Sequence, residues 1–152
     1  MKISTIPMES LAEVLLLQME SGGEARLVVT GDSMYPTLRH RKDVVYLKKP
    51  DRQLKKKDLI LYQRENGQYV LHRIVTKPKN DAFICCGDNQ WEKEPVTSDQ
   101  VVALAERFTR KGRTHTAIDL RYRLWIGFWV GLFPLRRPLL KLRRFLGRLR
   151  RK

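Results

Sequence analysis

The chain has 152 residues, a formal net charge of +15 and two cysteines. A chain of this length forms one domain with a sizeable core, and two cysteines are too few for a disulfide framework. Residues 1–135 carry 22 Lys and Arg against 16 Asp and Glu, whereas nine Lys and Arg and no acid lie from 136 onward. The main part of the chain is therefore only modestly basic, and the C-terminal tail supplies most of the excess charge.

Residues 1–24 are expected to contain a short amphipathic helix. Apolar residues lie at 11, 14, 15 and 17, but glutamates at 9, 13 and 20 interrupt them. A secretory signal peptide needs a continuous apolar core, which this segment lacks. Gly22 and Gly23 end the helix, which packs on the domain or, alternatively, on a partner.

From Leu27 to Phe108, short runs of strand-forming residues alternate with turn residues. The predicted strands are Leu27–Thr30, Val44–Lys48, Leu59–Arg64, Gln68–Lys77, Ala82–Cys86 and Val101–Arg107. Asn66-Gly67 lies between two of these runs and predicts a hairpin. Many short strands with few helices predict a mainly β fold, with a compact β domain over residues 25–112.

The cysteines, Cys85 and Cys86, are adjacent in a predicted strand. Adjacent cysteines strain a mutual disulfide, and with only three histidines in the chain they form no plausible metal set. We expect two buried, reduced thiols, which favours a reducing compartment.

Three short motifs contain residue types that can carry chemistry. Gly31-Asp32-Ser33 follows a strand-like run, and the glycine permits a tight turn that exposes the serine. With the two-residue period of a strand, Val70, His72 and Ile74 share one face. The third motif is Gly87-Asp88-Asn89, directly after a strand. Taken singly, these motifs also suit a surface turn, a core histidine and another turn.

In this order, the motifs resemble type I signal peptidases and their relatives among Ser-Lys and Ser-His peptidases. The octapeptide Gly31–Leu38 resembles the nucleophile box, and Leu71–Val75 resembles the general-base strand of the endoplasmic-reticulum and archaeal branch, in which histidine replaces lysine. Gly87-Asp88-Asn89 resembles the last box of the family. The resemblance covers about residues 25–108 and implies a signal-peptidase-like β domain.

The resemblance also implies roles for particular residues. Ser33 would be the nucleophile and supply its backbone N–H to the oxyanion, and His72 would be the general base. Glu94 occupies the position of the third, orienting acid, although aspartate is usual there, and Asp88 is the other candidate, as orienter or structural support. The substrate pocket would be shaped by Met34, Tyr35 and Pro36. No cofactor or metal is expected.

Residues 113–152 form a basic, apolar tail. Leu124–Leu135 are uncharged but number only twelve, too few to span a bilayer. Beyond Pro138, leucines and Phe145 share one helical face, and such basic amphipathic segments bind anionic membranes. The expected membrane contacts are Trp125, Phe128, Trp129, Phe133, Arg136 and Arg137. The alternatives are a helix folded onto the domain or a solvated basic tail.

Together, these observations predict a membrane-associated serine endopeptidase that removes leader or signal peptides through Ser33 and His72. The reduced-looking cysteines and the tail favour the cytoplasmic face, although ordinary signal peptidases act on the other side. The partners are a peptide substrate and an anionic membrane surface. Nucleic acid is disfavoured because phosphate binding would leave the tail's aromatic residues unexplained. The competing interpretation is an inactive family member that acts as a membrane-docking or nucleic-acid-binding module.

Overall fold

The computed structural model describes residues 8–76 and 78–150 and confirms the mainly β fold class. The described strands are β1 Ala25–Val28, β2 Val44–Lys48, β3 Leu59–Gln63, β4 Tyr69–Ile74, β5 Ala82–Cys86, β6 Glu94–Thr97, β7 Val101–Arg110 and β8 Arg113–Thr116. The described helices are α1 Met8–Glu20, α2 Leu120–Gly131 and α3 Phe133–Leu149, with a single 3₁₀ turn at Ser98–Gln100. Parts of three predicted elements, at residues 1–7, 77 and 151–152, lie outside the described residues.

All strand pairs are antiparallel, in the order β1-β2-β7-β3-β4-β5-β6, with β8 also paired to β7. The long central strand β7 joins the two halves of the sheet, since Ala105 lies opposite Leu47 on one side and Leu59 on the other. The predicted hairpin is confirmed: β3 and β4 are joined by a turn in which Gly67 has a φ of +85°. This register places Ile60 opposite His72 and Tyr62 opposite Val70.

Two strands were not predicted, for different physical reasons. β6 contains Pro95, which lacks an N–H donor and is tolerated because β6 ends the strand order. β8 is polar throughout and carries no alternation of apolar residues. Because β8 pairs with β7, the predicted domain boundary at residue 112 is wrong, and the sheet extends to Thr116.

Residues of the two sheet faces fall into two apolar clusters. Leu59 and Leu61 belong to the first, which also includes Leu15 and Met19 of α1. The N-terminal helix is therefore confirmed as packing on the domain. The second cluster contains Ile60, Tyr62, Ile74, Phe83, Cys85, Val96 and Leu104.

The apolar run of the tail is divided between two helices that meet at Leu132. Ile126 and Val130 of α2 and Leu140 of α3 are buried, so parts of both helices pack as the folded-on alternative expected. No helix in the described residues is long and apolar enough to cross a membrane.

Candidate active site

Ser33 lies in the turn between β1 and β2. Gly31 has a φ of +80°, a conformation that favours glycine, and its N–H donates to His40 Nδ1 at 2.7 Å. The Ser33 carbonyl accepts a 2.8 Å hydrogen bond from the N–H of Asn89, and Leu38 N–H closes the turn onto Met34. The turn is therefore fixed to the Gly87-Asp88-Asn89 segment, while the Ser33 side chain remains partly accessible.

Ser33 and His72 line the same cavity, which has a volume of about 510 Å³. The cavity runs between β1 and β4, with Leu27 and Val29 on one side and residues 69–72 on the other. His72 is only 4% exposed and lies on the β4 face shared with Val70 and Ile74, as the alternation predicts. In the described part of the chain, Ser33 Oγ and His72 form no direct hydrogen bond, and such contacts are often long before substrate binds.

Gly87 lies between the serine turn and the imidazole of His72. A β-carbon at this position would be 2.6 Å from the Ser33 carbonyl oxygen, 2.8 Å from Gln90 Oε1 and 3.1 Å from His72 Nε2. Only glycine leaves room for this approach. The lack of a side chain at Gly87 therefore allows the serine turn and the Nε2 side of the imidazole to lie close together.

In the described structure, Glu94 forms no hydrogen bond with His72. Its carboxylate instead accepts a 2.8 Å hydrogen bond from the Tyr62 hydroxyl, whose oxygen lies 3.2 Å from His72 Nδ1. Arg64 donates to both carboxylate oxygens, at 2.6 and 2.7 Å, and these bonds hold the pKa of Glu94 below its usual value. The direct orienting contact expected for Glu94 is therefore absent, and Tyr62, which sequence reasoning missed, occupies the intervening position.

Asp88 is fully buried and is the centre of a structural network. Arg73 Nε and Nη2 donate to its two carboxylate oxygens at 2.9 and 2.8 Å, and Thr37 Oγ1 donates at 2.6 Å. Arg73 also donates to the Tyr122 hydroxyl of α2 at 3.0 Å. Of the two roles left open for Asp88, this geometry corresponds to structural support, since it joins β4, α2 and the loop that follows Ser33.

Burial lowers the pKa of His72 to about 4, although Glu94 and Asp88 oppose this shift. The imidazole is therefore neutral at pH 7 and can accept a proton. The two cysteines are buried and unpaired, and burial raises the pKa of Cys85 to about 12 and that of Cys86 to about 11. Both remain neutral thiols at pH 7.

Of the three predicted pocket residues, Met34 lines the cavity, whereas Tyr35 and Pro36 are not among its lining residues. Tyr35 instead lies beneath the guanidinium of Arg143, 4.3 Å from its ring centroid. Gln90 lines the cavity beside the serine turn, and no motif drew attention to it. Its amide adds a polar group to the serine end of the cavity.

The predicted membrane contacts divide into exposed and packed residues. Trp125, Phe128 and Arg137 are exposed. Arg136 is only 1% exposed, so its assignment as a membrane contact is wrong. Its guanidinium donates to the Trp129 carbonyl at 3.0 Å and stacks on the rings of Trp129 and Phe133.

Trp129 and Phe133 are likewise partly buried rather than freely exposed. The Trp129 indole N–H donates to the Asp88 carbonyl at 3.0 Å, and Lys93 lies over the Phe133 ring. Trp129 therefore attaches the helical tail to the Gly87-Asp88-Asn89 segment, and Phe133 attaches it to Lys93.

Comparison of the chain with models of known protein families and with curated proteins finds no match. In the described residues, no three His, Cys, Asp or Glu side chains are grouped so that they could hold a metal ion.

Proposed function

We propose that the protein is a membrane-associated serine endopeptidase of the signal-peptidase type, which cleaves leader or signal peptides. One observation carries the proposal: Ser33 and His72, 39 positions apart in the chain, line one cavity, and His72 Nε2 faces the serine turn across Gly87. A hydroxyl and a neutral imidazole in one cleft are the groups that acyl transfer requires.

In the proposed reaction, Ser33 Oγ attacks the carbonyl carbon of the scissile bond while His72 Nε2 takes the hydroxyl proton. The backbone N–H of Ser33 stabilises the oxyanion. His72 then gives its proton to the leaving amine, which releases one peptide product and leaves an acyl-enzyme. Water, deprotonated by His72, hydrolyses this ester and restores Ser33.

The edges of the cavity favour an extended peptide as substrate. β1 pairs only with β2, and β5 pairs with β4 only at Arg73 and Ile74, so residues 69–72 have an unpaired edge in the described structure. Unpaired strand edges bind extended chains through main-chain hydrogen bonds. Apolar side chains of Leu27, Val29 and Leu71 border this path.

The proposal is tested by treating the full chain with a fluorophosphonate, which phosphonylates activated serines. We expect one adduct, located on Ser33 by peptide mapping, no adduct in Ser33→Ala, and unchanged labelling in Ser98→Ala as the control. An absent adduct, or one on other serines only, would contradict the proposal and favour a non-catalytic module. Digestion of a library of extended peptides would then identify the cleaved bond.

The membrane part of the proposal is based on α3. Five leucines spaced three or four residues apart share one face, and each is between 42% and 57% exposed: Leu135, Leu139, Leu142, Leu146 and Leu149. The helix contains six Lys and Arg and no acidic residue. An exposed apolar face on a cationic helix is complementary to an anionic lipid surface.

The attachment of α3 would also bring the active site close to the membrane. Arg143, which flanks the leucine face, lies over the Tyr35 ring, and Arg144, on the opposite side of α3 from the leucines, lies over the Trp91 ring. A helix is about 10–12 Å in diameter, so a bilayer in contact with the leucines would lie close to the residues that α3 contacts, which include Tyr35 of the serine turn.

We expect the full-length double variant Leu142→Gln, Leu146→Gln to bind vesicles of phosphatidylcholine and phosphatidylglycerol roughly 30-fold more weakly. Each lost leucine contributes about 1 kcal/mol of burial, and 1.4 kcal/mol is about tenfold in affinity. Co-sedimentation measures the effect. The control is Val14→Gln, Leu17→Gln, which removes two exposed apolar side chains from α1. Equal binding by all three proteins would contradict the membrane role of α3.

A further inference from the structure

Four side chains, of which His72 is the first, form a chain of hydrogen bonds that begins at the Nδ1 atom of the imidazole. It runs from His72 Nδ1 to the Tyr62 hydroxyl at 3.2 Å, on to Glu94 Oε2 at 2.8 Å, and ends at the bidentate Arg64 guanidinium. These residues come from β3, β4, β6 and the turn after β3. Tyr62 and His72 are diagonal neighbours across the β3–β4 pair, which puts them within reach of each other.

The positions of the protons follow from the chemistry of the partners. Arg64 carries only donors, so the ionised Glu94 carboxylate is held as an acceptor. The Tyr62 hydroxyl has one proton, which it donates to Glu94. Its oxygen can therefore only accept from His72, which requires the proton of the neutral imidazole to be on Nδ1. Nε2 is left unprotonated on the side that faces Gly87 and the serine turn.

The tyrosine hydroxyl is not needed for packing. Tyr62 is fully buried among Ile60, Ile74 and other apolar residues, where a phenylalanine ring would fill the same space. A buried hydroxyl costs free energy unless it is hydrogen-bonded. Its hydrogen-bond partners in the described structure are His72 and Glu94. The hydroxyl therefore has its role in this chain of hydrogen bonds rather than in packing.

No other side chain in the described structure can set the tautomer through Nδ1. The charged groups close to His72 are Glu94 and Arg64, which lie beyond Tyr62, and Asp88. Asp88 is already bonded to Arg73 and Thr37 and forms no hydrogen bond with His72.

We propose that Tyr62 is a positioning residue that holds His72 in the Nδ1–H tautomer, and that Glu94 and Arg64 act on the histidine through Tyr62. This inference rests on the proposed role of His72 as the base for Ser33. In this arrangement, a contact through Tyr62 takes the place of the direct contact expected between His72 and Glu94.

The test is Tyr62→Phe, which removes a single oxygen. We expect fluorophosphonate labelling of Ser33 to slow at least about tenfold, with about 10⁴-fold, the cost of losing a tautomer-fixing acid, as the upper bound. In ¹⁵N NMR spectra at pH 7, the His72 proton is expected to move from Nδ1 towards Nε2, because Nδ1–H has lost its acceptor. Glu94→Gln, which keeps an acceptor but loses the charge, is expected to have a smaller effect of the same sign.

Tyr46→Phe on β2 is the matched control, since its ring lies beneath Arg107 and outside the cavity. Wild-type labelling and an unchanged Nδ1–H signal in Tyr62→Phe would overturn the inference. If Tyr62→Phe failed to fold, Glu94→Gln would decide by the same two readouts. If wild-type Ser33 did not label, the proposed function would fail, but the NMR comparison would still decide whether Tyr62 sets the tautomer.

Discussion

Replacement of His72 by alanine is expected to lower the rate of Ser33 acylation, and of peptide cleavage, roughly 10⁴- to 10⁶-fold. The reason is that no second base can take over. The other polar side chains of the cavity are amides, hydroxyls and the Arg64 guanidinium, and none is a base at neutral pH. Two carboxylates lie near His72, and both are already hydrogen-bonded. Glu94 accepts from Tyr62 and Arg64. Asp88 accepts from Arg73 and Thr37.

The measurement is the labelling rate of Ser33 in the full chain, followed by mass spectrometry. His115→Ala is the matched control, because His115 stacks on Phe108 in the β7–β8 hairpin and is not among the cavity residues. Added imidazole is expected to restore part of the activity of His72→Ala by occupying the space left by the side chain. A His72→Ala protein that kept its rate within tenfold of the wild type would exclude His72 as the base.

The same residue determines the expected pH dependence. Because burial lowers the pKa of His72 to about 4, the acid limb of the wild-type rate is expected to have its midpoint near pH 4 rather than near 6.5. The sign for stability follows from linkage. Between these two values the unfolded chain binds a proton that the folded chain does not, so the free energy of unfolding decreases as the pH falls through this window.

The fold was predictable because its signals are local. Alternating β-branched and apolar residues mark β2, β5 and β7, and the Asn66-Gly67 pair marks the β3–β4 hairpin. β6 and β8 carry no such signal, since one contains Pro95 and the other is polar. β6 and β8 are strands because they pair with β5 and β7. This pairing exists only in the folded chain, so the local sequence does not predict it.

The candidate site was only partly predictable for the same reason. Ser33 and His72 were predicted from local patterns, namely the glycine turn before Ser33 and the strand alternation around His72. The role of Tyr62 depends on the register of the β3–β4 hairpin and on the position of β6, which puts Glu94 beside the tyrosine. Its sequence context, a run of buried strand residues, is that of an ordinary core aromatic.

Arg136 illustrates a second limit of sequence reasoning. Its neighbours are basic and apolar, a pattern that favours an exposed, membrane-binding helix face. In the structure its guanidinium lies over the rings of Trp129 and Phe133 and donates to a backbone carbonyl. Arginine is suited to such positions because its planar guanidinium can stack on an aromatic ring and donate hydrogen bonds at the same time. The tail is thus partly a support for the candidate site, and full-length variants are the appropriate test of membrane binding.

Replacement of Asp88 by asparagine is expected to lower the free energy of unfolding by about 3–5 kcal/mol. Asp88 and Arg73 are both fully buried, and the change leaves the Arg73 charge without its counter-ion. Urea denaturation measures the loss. The matched control is Asp51→Asn in the exposed pair with Lys48, for which less than about 1 kcal/mol is expected.

A double variant distinguishes support from catalysis. If Asp88 acts only through its buried pair, Arg73→Met combined with Asp88→Asn is expected to be more stable than Asp88→Asn alone, because no unpaired charge remains. Where Asp88→Asn remains folded, the His72 tautomer is expected to be unchanged, since Tyr62 holds it. A variant with wild-type stability, slow labelling of Ser33 and a shifted tautomer would instead show that Asp88 orients the histidine. The two measurements therefore decide between the roles of orienter and structural support.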